Sequence, residues 1–318
     1  MTITVPVNES VLKTAVQVAR NAPSIFNTQP WHWHIEGSTL QLHADRSRQL
    51  LVNDPDGRLL IVSCGAALHH ARLVLAVKGH GARVERLPDP ADPDLLAAIE
   101  LTGSHDATEP EREMYAAISC RRTDRRAYTA VPVAPSAAQV LVDAAEREGA
   151  HLHLVRDDTV AELASVAAQA SAIQLADPAY RQELAVWVSP TGVPAETAVP
   201  ATPRRVPVRD FAPTGGGDLD PGEHTDAGAR WAVVYTDGDQ VGDWLRAGEA
   251  LSAVLLTATA TELATAPISD VMETALTRER MRYMLSGVGH PQLGLRIGHA
   301  PVGLPPSSLR RTLREVID

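Results

Sequence analysis

The sequence predicts an α+β protein made of two tandem units, each combining mixed β-sheets with a long central helix. Three observations lead there. Strand-like segments occur in both halves, at Trp31–Glu36, Leu40–Ala44, Arg83–Leu87 and Leu95–Leu101, then at His151–Val155, Trp231–Thr236 and Gln292–Gly298. Each half carries one long apolar helical stretch, Leu59–Lys78 and Gly242–Thr265. Within these, Gly65-x-Ala67-Leu68-x4-Leu73 has the spacing of Gly248-x-Ala250-Leu251-x4-Leu256. Long Ala/Leu helices share such patterns by chance; the other source is duplication, with the two helices packed across a pseudo-twofold axis. The pattern alone leaves both open.

The remaining elements follow from local signals. Val11, Ala15, Val18 and Ala19 have helical spacing over Ser10–Arg20, with Asn8 or Ser10 as the cap. Gly37-Ser38 joins the first two strands as a hairpin, and Asp54-Pro55-Asp56-Gly57 is a turn. The first unit is assigned to residues 1–106. The second, 107–318, opens with a helix over Pro110–Ser119, then an arginine-rich segment and a helix over Ser136–Glu148. Helices over Thr159–Ala176, Pro178–Val188 and Ser269–Leu285 complete it. Ser189–Ala229 has no clear periodicity and is rich in Pro and Gly, including Gly215-Gly216-Gly217. So long a connection is functional or disordered, which makes 189–229 either a candidate lid or a surface loop.

Composition narrows the function. The 318 residues are 44% apolar but only 4% aromatic, so the cores are built from Ala, Val, Leu and Ile. A formal net charge of -10 argues against nucleic acid or an anionic membrane as partner. Met1–Val7 lacks the features of a secretory signal, and Cys64 and Cys120 lack metal or disulfide spacing, which gives a cytoplasmic reading. The histidines at 32, 34, 43, 69, 70 and 80 show no zinc-site spacing. No nucleophile elbow, P-loop or dinucleotide fingerprint is present, so a hydrolase, an NTPase and a Rossmann dehydrogenase have no support.

Two segments carry chemistry. Ala22-Pro23-Ser24-Ile25-Phe26-Asn27-Thr28-Gln29-Pro30-Trp31 is a Pro-restricted loop that presents hydroxyl and amide groups and offers Trp31 as an anchor. Arg121-Arg122-Thr123-Asp124-Arg125-Arg126 packs four guanidinium groups and a hydroxyl into six residues of an acidic chain. It reads as an anion receptor or as a solvated basic turn paired with Glu111, Glu113 or Asp124. Together, and with Ala127-Tyr128 and Pro132-Val133 after the second, these segments resemble the two halves of a flavin mononucleotide (FMN) site in the nitroreductase superfamily. They match its Acg-like branch, in which the motifs occur in this order.

The resemblance implies a nitroreductase-like fold and a set of roles. Arg121 and Thr123 would hold the phosphate, and Arg125 would reach the N1/O2 edge of the flavin; Arg122 lies where the family varies. Pro23, Ser24, Asn27 and Gln29 would come from the loop that faces the flavin of the other subunit in the family's dimer. Ala266, Pro267 and Ile268 lie where members supply backbone donors near N5, and Arg310 and Arg311 resemble a basic motif that returns to the phosphate. The first half has the loop but no arginine run, and the second half has the run but no second such loop. Each half therefore holds one side of a pocket, and the chain would be a monomer imitating a homodimer around one FMN. No Asn follows Asn53, so an asparagine that other members place near the flavin is missing.

Two functions stay open. One is an FMN-dependent oxidoreductase that passes electrons by a ping-pong route from NAD(P)H to a small nitroaromatic or quinone-type acceptor, with the flavin rather than a protein side chain as catalyst. The other is a flavin-binding or storage protein whose 189–229 segment covers the ring and leaves little turnover.

Overall fold

The computed structural model describes residues 7–200, 202–211 and 217–318; the amino-terminal residues 1–6 and the first two glycines of the Gly215–Gly217 run lie outside it. Helix α1 (Val7–Ala19) leads to the hairpin β1 (Trp31–Glu36) and β2 (Thr39–Ala44), which turns on Gly37 at φ +62°. The long helix α2 (Arg58–Val77) follows, then β3 (His80–Arg86) and β4 (Leu95–Ser104). Next come α3 (Glu109–Ala117), α4 (Pro135–Arg147), β5 (His151–Leu154), α5 (Val160–Ala176) and α6 (Pro178–Trp187). After the long connection lie β6 (Arg230–Thr236), α7 (Val241–Ala260), β7 (Ala264–Ile268), the short α8 (Asp270–Glu273), α9 (Ala275–Met284), β8 (His290–Gly298) and α10 (Leu313–Val316).

The strands form two four-stranded antiparallel sheets, ordered β1-β2-β4-β3 and β5-β6-β8-β7. The order is the same in both. In each, a 20-residue helix leaves the second strand and returns to the third, which then forms the far edge. Among the described residues, mixed strand direction arises only at an edge of each sheet, where single parallel bridges join Trp33 to Ile317 and Thr123 to Thr265. The carboxy terminus thus belongs spatially to the first sheet.

Helices α2 and α7 cross at the centre. The start of α2 is fixed by Asp54, whose carboxylate accepts from the Leu59 and Leu60 amides (3.0 and 2.8 Å), donors that a helix N-terminus leaves unpaired. Seventeen of the α2 residues are buried, so the face-to-face amphipathicity of a surface helix is absent. Its length and apolarity would suffice to cross a membrane, but it is enclosed by the protein and serves as a core helix. Where the helices cross, His69 Nδ1 lies 2.9 Å from Ser252 Oγ. The interval between those two residues equals that between Gly65 and Gly248. The repeated motif therefore marks the contact of the two halves.

Two elements differ from the sequence expectation. The second long helix ends at Ala260 rather than continuing to Thr265. Glu262 takes a left-handed φ of +60° and the Leu263 amide closes back on Ala258 O (2.8 Å), reversing the chain into β7. Pro267 is tolerated there because β7 is an edge strand. The predicted Ser269–Leu285 helix is broken at Thr274, which is extended (φ -108°, ψ 143°) and caps α9 through its hydroxyl.

Candidate functional site

The loop before β1 is held by three left-handed residues, Phe26, Asn27 and Gln29 (φ +47°, +56° and +50°). Non-glycine residues pay about 1–3 kcal/mol for such conformations, so their concentration here marks a shape the surroundings impose. The Ile25 amide donates to Ser63 Oγ on α2 (3.1 Å), and the Gln29 amide donates to Ser24 Oγ (2.9 Å). These bonds lay the Pro23–Phe26 stretch along α2.

The arginine segment is set against the second sheet. Asp124 N–H donates to Thr265 O (3.0 Å), Tyr128 Oη donates to Asp124 O (3.0 Å), and buried Arg296 on β8 donates to the carbonyls of Asp124 and Arg126 (2.9 and 3.0 Å). Arg296 is itself held by a two-oxygen ion pair with buried Asp226 (2.8 and 2.9 Å). Arg126 pairs with Asp124 (2.8 Å) and donates to Gly303 O (2.6 Å), so it braces the turn. The solvated-turn reading fits Arg126 alone.

Loop and arginine segment meet across one cleft with two compartments that share Pro23, Ser24, Thr123 and Arg125. Together with the open solvent at their mouths they enclose about 910 and 850 Å³ of free space. The first is mainly apolar. It is walled by Ile25 and Phe26, by Leu59 and Val62 of α2, and by Ala266, Pro267 and Ile268 of β7. The second is polar, with Asn27, Arg121, Arg122, Arg310 and Ser307-Ser308 on its walls.

The polar compartment is built for an anion. Arg121 is 5% exposed, and its Nε and Nη1 have no hydrogen-bond partner. Burial first, then the nearby Arg310 and Arg122 charges, push its guanidinium down to about 9. Arg310 is lowered to about 10 by burial and by Arg122. No carboxylate pairs with Arg121 or Arg310 among the described residues. Clustered buried cations are costly unless an anion joins them. Behind them on α2, His70 is fully buried with both ring nitrogens unpartnered; burial, His69, Arg121 and Arg310 hold it neutral.

Of the predicted residues, the structure brings Pro23, Ser24, Asn27, Arg121, Arg122, Thr123, Arg125, Ala266, Pro267, Ile268 and Arg310 to the cleft. Gln29 and Arg311 line neither compartment. Gln29 Oε1 accepts from the Arg311 amide (2.8 Å), and Arg311 reaches Gln29 O (3.0 Å) and Asp45 (3.2 Å), stapling the carboxy-terminal segment to the first sheet. Asn27 does related work: its Oδ1 accepts from Arg310 (2.7 Å), and its amide donates to Leu309 O (3.0 Å) and Thr191 O (3.3 Å).

Sequence reasoning missed the walls supplied by the long connection. Val193 and Thr197 line the polar compartment, and Val208, Arg209 and Phe211 the apolar one. Phe211 meets Phe26 edge-on (5.5 Å between centroids), Arg125 stacks over Phe211 (4.6 Å), and Arg209 stacks over Phe26 (4.9 Å). The Arg209-x-Phe211 pairing in an aperiodic stretch was the available signal. Asp270, buried beside Arg209, was also missed.

This arrangement, a strained loop and an unneutralised arginine cluster closing on an apolar slot between two like-ordered sheets, defines a binding site for a flat molecule with an anionic tail. Comparison with known proteins identifies the family. The chain is 40% identical over 318 residues to the Mycobacterium tuberculosis protein named "Putative NAD(P)H nitroreductase Rv3131", covering 96% of this chain and 91% of that protein. It is 34% identical to "Putative NAD(P)H nitroreductase acg" of the same organism, covering 98% and 96%. The chain belongs to the nitroreductase family, in its Acg-like branch. No protein-family profile matches it. Among solved structures, the FMN and NADPH-dependent nitroreductase NfnB from Sphigopyxis sp. strain HMH aligns with a TM-score of 0.46 at 19% identity, over 64% of this chain and 97% of that one.

Proposed function

We propose that this chain is an FMN-dependent oxidoreductase that takes electrons from NAD(P)H and passes them, in ping-pong order, to a small nitroaromatic or quinone-type acceptor. The observation that carries the reading is Arg121: a buried guanidinium with two unpartnered nitrogens, in an anion compartment that opens through Thr123 and Arg125 onto an apolar slot. A flavin mononucleotide has a dianionic tail and a flat ring system in that order, so the residues present fit it. Family membership supports the same assignment.

When bound, the flavin supplies the hydride and electron chemistry. The protein's part is placement. Arg121, Arg310 and the Thr123 hydroxyl would hold the phosphate, with Arg122 at the rim. Arg125 would face the pyrimidine edge, where its charge favours a reduced, anionic ring. Pro267 has no N–H, so it can wall the slot but cannot itself be a donor to N5. Gln29 and Arg311 would act by fixing the loop. We place the boundary of the two units near residue 107, take one flavin per monomer, and take the cytoplasm as the compartment, in keeping with two free cysteines.

The second reading, a flavin-storing protein with little turnover, is favoured by one observation: Val208, Arg209 and Phe211 of the long connection form part of the wall of the apolar compartment. Nicotinamide must come within about 3–3.5 Å of the ring to deliver hydride. The test is to purify the protein, identify any yellow ligand released by denaturation, and mix the loaded protein with NADH or NADPH in a stopped-flow instrument. Rapid bleaching supports the enzyme. Bleaching only in Phe211→Ala supports a lid over a competent site. A stable yellow complex that neither form lets bleach supports storage. A colourless protein that takes up no FMN overturns both.

A further inference from the structure

We infer that Asp270 is the proton donor of the apolar compartment, delivering a proton to the oxygen of a quinone-type acceptor as that acceptor is reduced. The inference rests on the flavin reading above.

Four observations carry it. Asp270 supplies the one carboxyl group among the described residues that line this compartment; the other polar walls are hydroxyls and guanidiniums. It directly follows Ser269, at the end of the β7 wall, and is 3% exposed. Its Oδ1 accepts from the Val271 amide (3.1 Å), a contact within its own turn. No cation among the described residues lies within ion-pair distance of it. Arg209, the basic group that faces it from the long connection, is committed to Glu273 (2.5 Å) and to Tyr180 Oη (3.0 Å). From the other walls, Arg296 is committed to Asp226, and Arg125 donates to Thr197 O (3.1 Å) and stacks on Phe211. Burial and the neighbouring Glu273 outweigh the attraction of Arg209 and raise the Asp270 carboxyl to about 6. A general acid works best when its proton affinity lies near the working pH. The hydroxyls and guanidiniums of this compartment hold their protons too tightly for that role.

The step balances as follows. The quinone takes a hydride, supplied by a reduced flavin, and negative charge gathers on its oxygen. The O–H bond of Asp270 breaks and its proton joins that oxygen, giving the hydroquinone and the Asp270 carboxylate. Solvent then returns a proton to the carboxylate. The apolar walls, Phe26 and Phe211 among them, disfavour an oxygen anion left without a proton.

The test uses the intact protein and Asp270→Asn, with Asp270→Glu as the rescue and Asp270→Ser as a second variant should the amide perturb folding. Infrared difference spectra of the flavin-free protein are taken across pH 4 to 8, and FMN affinity is titrated. Pre-reduced, FMN-loaded proteins are then reoxidised by a benzoquinone and by ferricyanide, which takes electrons without a proton. Expected are a protonated-carboxyl band that titrates near pH 6 and is missing from Asp270→Asn, and unchanged FMN affinity. Benzoquinone reoxidation should fall in the wild type as pH rises through 6. In Asp270→Asn it should be pH-independent and roughly 100-fold slower, and Asp270→Glu should restore it, with ferricyanide rates equal throughout. An Asp270→Asn protein that binds FMN and is reoxidised by benzoquinone with the wild-type rate and pH profile overturns the inference and leaves the flavin reading standing. The absence of any carboxyl that titrates above the ordinary range overturns it equally. Failure of every form to take up FMN removes the flavin reading and this inference with it.

Discussion

Gly65 of α2 and Gly248 of α7 touch where the two halves cross, and each meets the other's helix in the same way. A Cβ built on Gly65 would lie 2.1 Å from Leu245 O, and one on Gly248 would lie 2.0 Å from Val62 O. Leu245 precedes Gly248 by three residues, and Val62 precedes Gly65 by three. That reciprocity is what a twofold axis between two like helices produces. With the shared strand order of the two sheets, it favours duplication over chance as the source of the repeated motif.

Alanine at either glycine is therefore expected to destabilise the fold. In an exposed helix Gly→Ala gains about 0.5–1 kcal/mol. Here the added methyl meets a backbone oxygen, which has no rotamer to yield, and α2 and α7 must separate. The net loss should be about 1–3 kcal/mol for each single substitution. The double variant should cost less than the sum, because both methyls wedge the same crossing. Urea unfolding of the four proteins checks this, and additivity would argue against a shared crossing.

Arg121 is expected to oppose folding until an anion arrives. Arg121→Met replaces the buried, unpartnered guanidinium with an apolar chain of similar length. The ligand-free variant should unfold at higher temperature than the wild type, by an amount equivalent to about 1–3 kcal/mol. Millimolar phosphate or FMN should stabilise the wild type and have little effect on the variant. A lower melting temperature for ligand-free Arg121→Met would show that the cation has a partner after all.

Asn27→Ala should loosen two segments at once, because one amide group joins Leu309, Arg310 and Thr191. The left-handed backbone at position 27 adds a cost, since Ala tolerates positive φ less well than Asn. Hydrogen exchange should rise in residues 305–312 and 189–193 and stay unchanged at α2. Exchange limited to the loop itself would mean that the bridge carries no energy.

Much of this was legible in the chain, and for identifiable reasons. The Trp31–Glu36 and Leu40–Ala44 hairpin, the α2 core helix and the turn at Asp54–Gly57 are local: period, turn residues and caps act within a few positions. The Pro23–Asn27 segment stood out by its resemblance to the family's flavin loop, and the Arg121–Arg126 run by four guanidiniums set in an acidic chain. What escaped was non-local. Leu263–Thr265 continue the apolar run of α7, and only the left-handed backbone at Glu262 shows that the helix has closed and the chain turned into β7. Arg209, Phe211 and Asp270 acquire meaning only when the long connection crosses the cleft. Arg311 resembles a phosphate ligand in sequence, yet Asp45 and Gln29, more than 260 residues earlier, determine what it binds.

Glu249 tests the contact between the halves from its charged side. It is fully buried on α7 and pairs with Arg72 of α2 (2.6 Å) and Arg86 of β3 (2.8 Å), while Glu148 also pairs with Arg72 (2.5 Å). Glu249→Ala leaves two arginines short of their partner, and the expected loss is about 3–5 kcal/mol. Glu148→Ala, at a partly open position with Glu249 still in place, should cost less. Denaturant midpoints that rank the two variants the other way would show that Glu148, rather than Glu249, holds the cluster.

Asp270 gives the stability curve a pH dependence whose sign is fixed by its burial. Its folded-state value of about 6 lies above the ordinary carboxyl value of 3.8, so the folded protein holds this proton more tightly than the unfolded chain does. Below about pH 3 both states are protonated and the residue has no effect. As pH rises from about 3 to 6 the unfolded chain ionises first, and the folded state loses relative stability. Above 6 the loss is complete, at about 2–3 kcal/mol. Asp270→Asn, which keeps the acceptor for the Val271 amide, should therefore raise unfolding free energy by that amount at about pH 8 and leave it unchanged at about pH 3. Urea titrations at the two pH values decide the matter: an equal gain at both would assign the effect to packing, and no gain at pH 8 would mean that a cation compensates the buried carboxylate.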